Sequence, residues 1–270
     1  MIQSLLHYVA FTLYGGAAVL FALNLRAAGR RFVVTGRALV ILGLLAHTAG
    51  IGAHCSLTHE TPFASVYGTL SMAAWIVALA FVPVEVALRA PAIGVLALPA
   101  ACALLLTAFM NSGQAPAISP TVRSVMVSVH VLSILVSFAL FMLAACCAVF
   151  YVWQYRLLKR HGRGGIFRRL PPLDTVDRAA YRLVLAALPL LTAGIVLGAF
   201  RAPSRAAQGS WLVDPYTIVS LTAWLVYGAY LYMRTLRGWG GTRLSFLLIA
   251  GAALTVLIYF VPSQVHRLTF

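Results

Sequence analysis

The chain has 270 residues, of which 62% are apolar and 9% charged, and its formal net charge is +15. A soluble chain carries about a quarter charged residues, so this composition excludes a soluble globular domain and indicates a polytopic membrane bundle. The four cysteines form no CxxC or CxxCH, which excludes a thioredoxin-like centre and a c-type cytochrome.

A spanning helix needs about 20 mostly apolar residues. Eight segments qualify, at 3–25, 38–57, 66–88, 92–111, 124–153, 181–200, 215–236 and 244–264. The expected fold is all-α, one integral-membrane domain over 1–270 with both termini outside. The first segment lacks the basic n-region and small-residue cleavage site of a signal peptide and reads as a retained helix.

Orientation follows from the arginines and lysines. With the N-terminus outside, sixteen of them fall in inner loops, and only Arg123, Arg201, Arg205 and Arg267 fall outside. The positive-inside rule favours that arrangement and accounts for the basic balance without a nucleic-acid partner. The long inner loop at 154–180 is basic around Gly-Arg-Gly-Gly and suits anionic lipid headgroups. Within it, LDTVDR reads as a helix start capped by Asp174 or Thr175.

This topology gives each histidine a depth. His7, His54, His59, His130 and His266 lie near the outer face, His47 lies near the midplane, and only His161 is inside. An intramembrane histidine is a functional candidate by default, and imidazole is the commonest metal ligand. Zinc or copper sites usually want closely spaced ligands backed by cysteine or carboxylate, and Glu60 and Asp214 are the only outer acids. Two histidines on separate helices better suit the axial ligands of a haem, with His47 and His54 as weaker metal candidates. Trp75, Trp211, Tyr67 and Tyr216 offer flat surfaces, and Arg201 and Arg205 suit carboxylates such as propionates.

Among the remaining polar and special residues, Glu85 is placed to pair with Arg89 one turn on. Pro83, Pro99 and Pro189 predict kinks, and Gly194 and Gly198 predict a helix-packing face. No internal repeat is visible in the sequence. No nucleophile–base pair suggests an enzyme acting by itself.

Several stretches resemble the cytochrome c assembly family, the haem-handling membrane proteins that include the CcsA/ResC, CcmC and HemX/YpjD-like proteins. SVHVLSILVSFALFMLAACCAVFYV is similar to the family helix that opens with a haem-ligand histidine, here His130. RLPPLDTVDRAAYRLVLAALPLLTAGIVLGA resembles the family's linker and next helix. GSWLVDPYTIVSLTAWLVYGAYLYMR takes the place of the tryptophan-rich signature. Trp211, Asp214, Pro215, Thr217 and Trp224 remain of that signature, while its second tryptophan is Val213. RGWGGTRLSFLLIAGAALTVLIYFVPSQVH resembles the last helix and ends in the second external histidine, His266. HETPFASVYGTL resembles the family's outer turn, with Gly68 in place of its acid.

The resemblance implies non-covalent haem b at the outer face of a bacterial inner membrane. His130 and His266 would be its axial ligands, Trp211, Asp214 and Pro215 the shelf, and Trp224, His59, Arg201 and Arg205 further binding residues. It implies haem handling for cytochrome c biogenesis, within a haem-attachment complex with a CcsB/ResB-like partner and apocytochrome c. The alternatives are a HemX/YpjD-like regulatory or scaffold protein without haem transfer, and a small-solute or metal transporter lined by His47 and His54.

Overall fold

The computed structural model describes residues 2–27, 29–59, 61–112, 125–159, 170–201 and 214–257, and among them it is helical with no strand. The helices are α1 (Ile2–Arg26), α2 (Arg30–Thr58), α3 (Val66–Leu88), α4 (Gly94–Met110, entered through a 3-10 turn at Pro91–Ile93), α5 (Val125–Lys159), α6 (Leu173–Arg201), α7 (Pro215–Thr235) and α8 (Thr242–Leu257).

They pack as two rings of four. α1 touches α2 and α4, and α3 closes the ring between α2 and α4; α5 touches α6 and α8, and α7 closes the second ring in the same way. The rings meet chiefly where α3 lies on α5. Alanine, leucine and phenylalanine fill the interior, whereas Leu5, Leu42, Leu45 and Leu225 point outward. A bundle in lipid gains nothing from hiding its leucines, so apolar surface on both sides of a helix is the expected pattern.

Six helices, α1 to α6, are long and apolar enough to cross a membrane. Two of the eight expected spans fall short of that measure among the described residues. α7 dilutes its 21 residues with four tyrosines, and α8 is described for only 16 residues. α2 and α6 begin at Arg30 and Leu173, upstream of the expected 38 and 181. Hydropathy marks where a helix becomes apolar, whereas the hydrogen-bonded ladder runs on through Arg30 and Arg37 in one case and Asp174 and Asp177 in the other.

The fastenings between helices repeat from ring to ring. In the first, the Trp75 indole donates to Thr48 Oγ1 at 2.9 Å, joining α3 to α2. In the second, the Trp224 indole donates to Thr192 Oγ1 at 2.9 Å, joining α7 to α6. Nearer the opposite end, the Arg37 guanidinium grips Glu85 through Nε and Nη2 at 2.9 and 2.8 Å, again α2 to α3. Its counterpart is the ion pair of Arg234 on α7 with Asp177 on α6, with the charges exchanged and Asp177 about one turn further from Thr192 than Arg37 is from Thr48. Glu85 thus pairs with Arg37 rather than with the expected Arg89. Arg89 is the C-cap of α3 in the left-handed region, φ 49°, where it ends the helix.

Candidate functional site

By chain direction, the start of α1, the end of α2, the starts of α3, α5 and α7, and the end of α6 share one end of the bundle. Histidines of both rings lie toward it.

In the second ring, His130 lies against α6. Its Nδ1 is 2.6 Å from the Gly194 carbonyl oxygen. A carbonyl only accepts, so Nδ1 carries the proton and the Nε2 lone pair is the one a metal can use. The ring lies over Gly198, where a Cβ would meet His130 Cε1 at 2.7 Å. Gly194 gives equally close room to Ile134, with 2.6 Å to its Cγ1. The Gly194/Gly198 face is therefore the expected packing face and also the seat of the histidine. A backbone carbonyl on one ring nitrogen is the usual orientation of a metal-ligating histidine, so the His130 side fits an axial haem ligand.

Asp214 caps α7: its carboxylate accepts from the Tyr216 amide at 3.1 Å, and it is 4% exposed. Pro215 follows at the first helical position, where its fixed φ starts a helix and its missing N–H is no loss. Trp224 is a further nine residues along α7, about 14 Å from its start, and its bond to Thr192 ties α7 to α6 at that depth. Arg201 closes α6. Trp211, Arg205 and His266 lie outside the described residues.

In the first ring, His7, His47, His54 and Tyr67 gather between α1, α2 and α3. The His7 and His47 rings meet edge-on at 5.1 Å, and Tyr67 lies 5.5 Å from His7 and 5.6 Å from His54. His47 is fully buried, with Tyr14 OH 3.3 Å from Nδ1 and Ser71 Oγ 3.0 Å from Nε2. Both of its nitrogens are thus engaged in hydrogen bonds. His7 and His54 share a partner: the Gln3 backbone oxygen is 2.7 Å from His7 Nδ1, and Gln3 Oε1 is 3.2 Å from His54 Nδ1. His59 stands apart, exposed at the C-cap of α2 with φ 55°. Among the described residues, no group of three or more histidine, cysteine or acidic side chains is arranged to hold a metal ion.

Reading residues by type overlooks Gln3, Tyr14 and Ser71, because a glutamine, a tyrosine or a serine on an apolar helix gives no signal until its partner helix is in place. The outer turn before α3 explains another feature of the sequence. Ser65 caps the helix by accepting from the Gly68 amide at 3.1 Å, and the backbone folds back so tightly that a Cβ on Gly68 would lie 2.2 Å from the Pro62 carbonyl oxygen. No side chain fits there, acidic or otherwise. Gly68→Ala should cost about 3 kcal/mol, the upper end of overpacking, because the obstacle is backbone. Gly52→Ala, with nothing within 4 Å, should cost far less; equal thermal stability of the two variants in detergent would refute this account.

These features define a polytopic helical membrane protein with imidazoles of both rings toward one end of the bundle, two of them, His7 and His47, buried. The family model for "Cytochrome C assembly protein" matches residues 63–266, and the chain belongs to that family. It is 30% identical over 254 residues to "Cytochrome c biogenesis protein CcsA" of Prochlorococcus marinus, covering 82% of this chain and 78% of the relative. Proteins with the same description from Gloeothece citriformis and Gloeobacter violaceus are 27% and 26% identical, covering 83% and 93% of this chain and 83% and 90% of theirs. No solved structure matches the chain.

Proposed function

We propose that this protein holds haem at the outer face of a bacterial inner membrane and presents it for cytochrome c biogenesis. The observation that carries the reading is the His130 Nδ1 bond to the Gly194 oxygen at 2.6 Å, with the ring set over Gly198. It fixes the tautomer, with the proton on Nδ1 and the lone pair on Nε2. That is the preorganisation expected of an axial ligand. The descriptions of the relatives, biogenesis proteins for cytochrome c, point the same way. The inner-loop excess of basic residues supports placing the His130 end outside.

In this reading His130 and His266 are the axial pair, and Trp211, Asp214 and Pro215 form the shelf. Asp214 keeps the start of α7 rigid by capping it, so that the shelf stays in register with α6. His130 belongs to α5 but is oriented by α6, so a small shift of one helix along the other loosens the ligand without unfolding either. A haem held this way stays coordinated and can be given up. Bound haem supplies the iron that the imidazoles ligate and the vinyl groups that a CxxCH apocytochrome takes. The partners in this scheme are a CcsB/ResB-like assembly protein and apocytochrome c.

The test is the dithionite-reduced visible spectrum of the detergent-purified protein and of its His130→Ala/His266→Ala variant. A sharp b-type α-band in the wild type that is lost in the variant is the expected result. An unchanged band in the variant would overturn the ligand assignment. A wild type with no haem under haem-replete expression would overturn the reading itself.

A further inference from the structure

We propose that the end of the bundle opposite His130 carries a phosphate site between α5 and the start of α8. Its ligand is an anionic phosphate ester, either the headgroup of an anionic lipid or a free phosphate compound. The two sources share one chemistry, a phosphate oxyanion held by a guanidinium and helix-start amides beside aromatic rings. The site is separate from the His130 end and does not depend on haem.

A cavity of about 410 Å3 lies there, lined by Tyr151 and Tyr155 of α5 and by residues 239–243, which lead into α8. That volume is in the range of small-molecule sites. The fold sets both of its walls. Tyr151 and Tyr155 are one turn apart on α5, and their rings lie within 10° of parallel with centroids 6.5 Å apart. The other wall is the connector between α7 and α8, which turns through two glycines in the left-handed region, Gly238 at φ 63° and Gly241 at φ 79°. Between them Trp239 is pinned on both sides. Its amide donates to the Met233 carbonyl at 3.1 Å, and its carbonyl accepts from Arg234 Nη1 at 3.2 Å. Gly241 brings the two walls together, since a Cβ there would lie 3.4 Å from the Tyr151 hydroxyl.

The groups on these walls suit phosphate. Arg243 is exposed, and the ion pairs among the described residues, Arg37–Glu85, Arg178–Asp174 and Arg234–Asp177, leave it without an acid. Asp177, the acid that acts on Tyr151, is the one taken up by Arg234. A guanidinium matches phosphate oxygens in pairs, which an ammonium does not. The Ser245 amide bonds the Gly241 carbonyl at 3.1 Å, so α8 starts there and the amides of Thr242 and Arg243 precede its first internal bond. Lys159 Nζ lies 5.1 Å over the Tyr155 ring, which keeps a second cation beside the tyrosine wall. Apolar surface adjoins this polar group. Phe246, one turn from Thr242 on the same face of α8, is 50% exposed, so an acyl chain attached to the phosphate has a bed along the helix. Exposed Arg156 and Arg237 at the same end add the positive field that draws anionic lipid.

The experiment uses the full-length protein, delipidated in dodecyl maltoside. It is titrated separately with short-chain phosphatidylglycerol, short-chain phosphatidylcholine and glycerol 3-phosphate, and native mass spectrometry counts the bound equivalents. Phosphatidylglycerol should bind at about one equivalent and at least about tenfold more tightly than phosphatidylcholine. Arg243→Ala should weaken it by about tenfold, the usual contribution of a hydrogen-bonded charge. Arg237→Ala removes the same charge outside the cavity and should change affinity by less than about twofold. Binding of lipid alone assigns a headgroup site, and equal affinity for glycerol 3-phosphate assigns a free phosphate compound. A measurement on the unaltered site covers the case of a misfolded Arg243 variant. Phosphatidylglycerol brominated on its acyl chains should quench Trp239, read as the difference between wild type and Trp239→Phe, more strongly than brominated phosphatidylcholine. Absence of binding by both phosphatidylglycerol and glycerol 3-phosphate, equal losses in Arg243→Ala and Arg237→Ala, or equal quenching by the two brominated lipids would each overturn the proposal.

Discussion

Arg37→Ala should destabilise the bundle by about 3 kcal/mol, more than any substitution of an arginine in a connecting loop. Exposed ion pairs contribute little, about 0–1 kcal/mol, and the exposed Asp174–Arg178 pair within α6 belongs to that class. The Arg37–Glu85 pair differs because the Glu85 side chain is 2% exposed and is gripped through two bonds at 2.9 and 2.8 Å. Removing the guanidinium strands a buried carboxylate, a loss of about 3–5 kcal/mol in general. The lower end applies here because Arg37 is itself 42% exposed. Arg37→Lys should recover only part of the loss, since an ammonium has no fork to match the carboxylate. The paired change Arg37→Met/Glu85→Leu should recover most of it, because it removes both charges together. Unfolding in mixed micelles, followed by tryptophan fluorescence, measures all three variants. An Arg37→Ala protein as stable as the wild type would show that Glu85 finds other compensation.

That ion pair also shows what a sequence reading can reach. Glu85 reads as the partner of Arg89 because a helix brings residues four apart together. Its actual partner is 48 residues upstream, and only the packing of α2 on α3 reveals it. The apolar segments that became helices were legible because lipid demands long apolar runs. The polar first turns of α2 and α6 were not, because nothing in hydropathy marks a helix that continues beyond the membrane. His130 stood out by residue type and by resemblance, while its seat against α6 did not. The dual role of Gly194 and Gly198 was only half legible, since spacing predicts a close helix approach but cannot say which side chain enters the groove. The repeat between the rings escaped for a physical reason: its fastenings are single residues, and the ion pairs exchange charge, Glu85 for Arg234 at the same count from the cap and Arg37 for Asp177 about one turn apart. Comparison by letter sees opposite residues where the bundle sees the same strut.

Gly198→Val should lower haem retention by about ten- to a hundredfold, the usual effect of disturbing the group that orients a metal-bound histidine. A Cβ at this position lies 2.7 Å from His130 Cε1 and 3.2 Å from Nδ1, so the imidazole must swing away and lose the Gly194 carbonyl. With that bond gone the tautomer is no longer fixed, and Nε2 no longer presents its lone pair in one direction. The comparison that isolates the cause is Gly194→Ala, whose Cβ meets Ile134 Cγ1 at 2.6 Å, a side chain rather than the histidine. It should cost about 1–3 kcal/mol of stability by separating α5 from α6, yet leave more haem bound than Gly198→Val does. Gly228→Ala, with nothing within 4 Å, should change neither property measurably. Haem content per protein and the position of the reduced α-band measure retention, and thermal unfolding measures packing. If Gly198→Val keeps a wild-type band while Gly194→Ala loses it, the glycine face serves helix packing alone and the orientation of His130 is set elsewhere. If the band follows Gly198 and stability follows Gly194, one helical stripe performs two separable tasks, holding α5 and aiming its histidine.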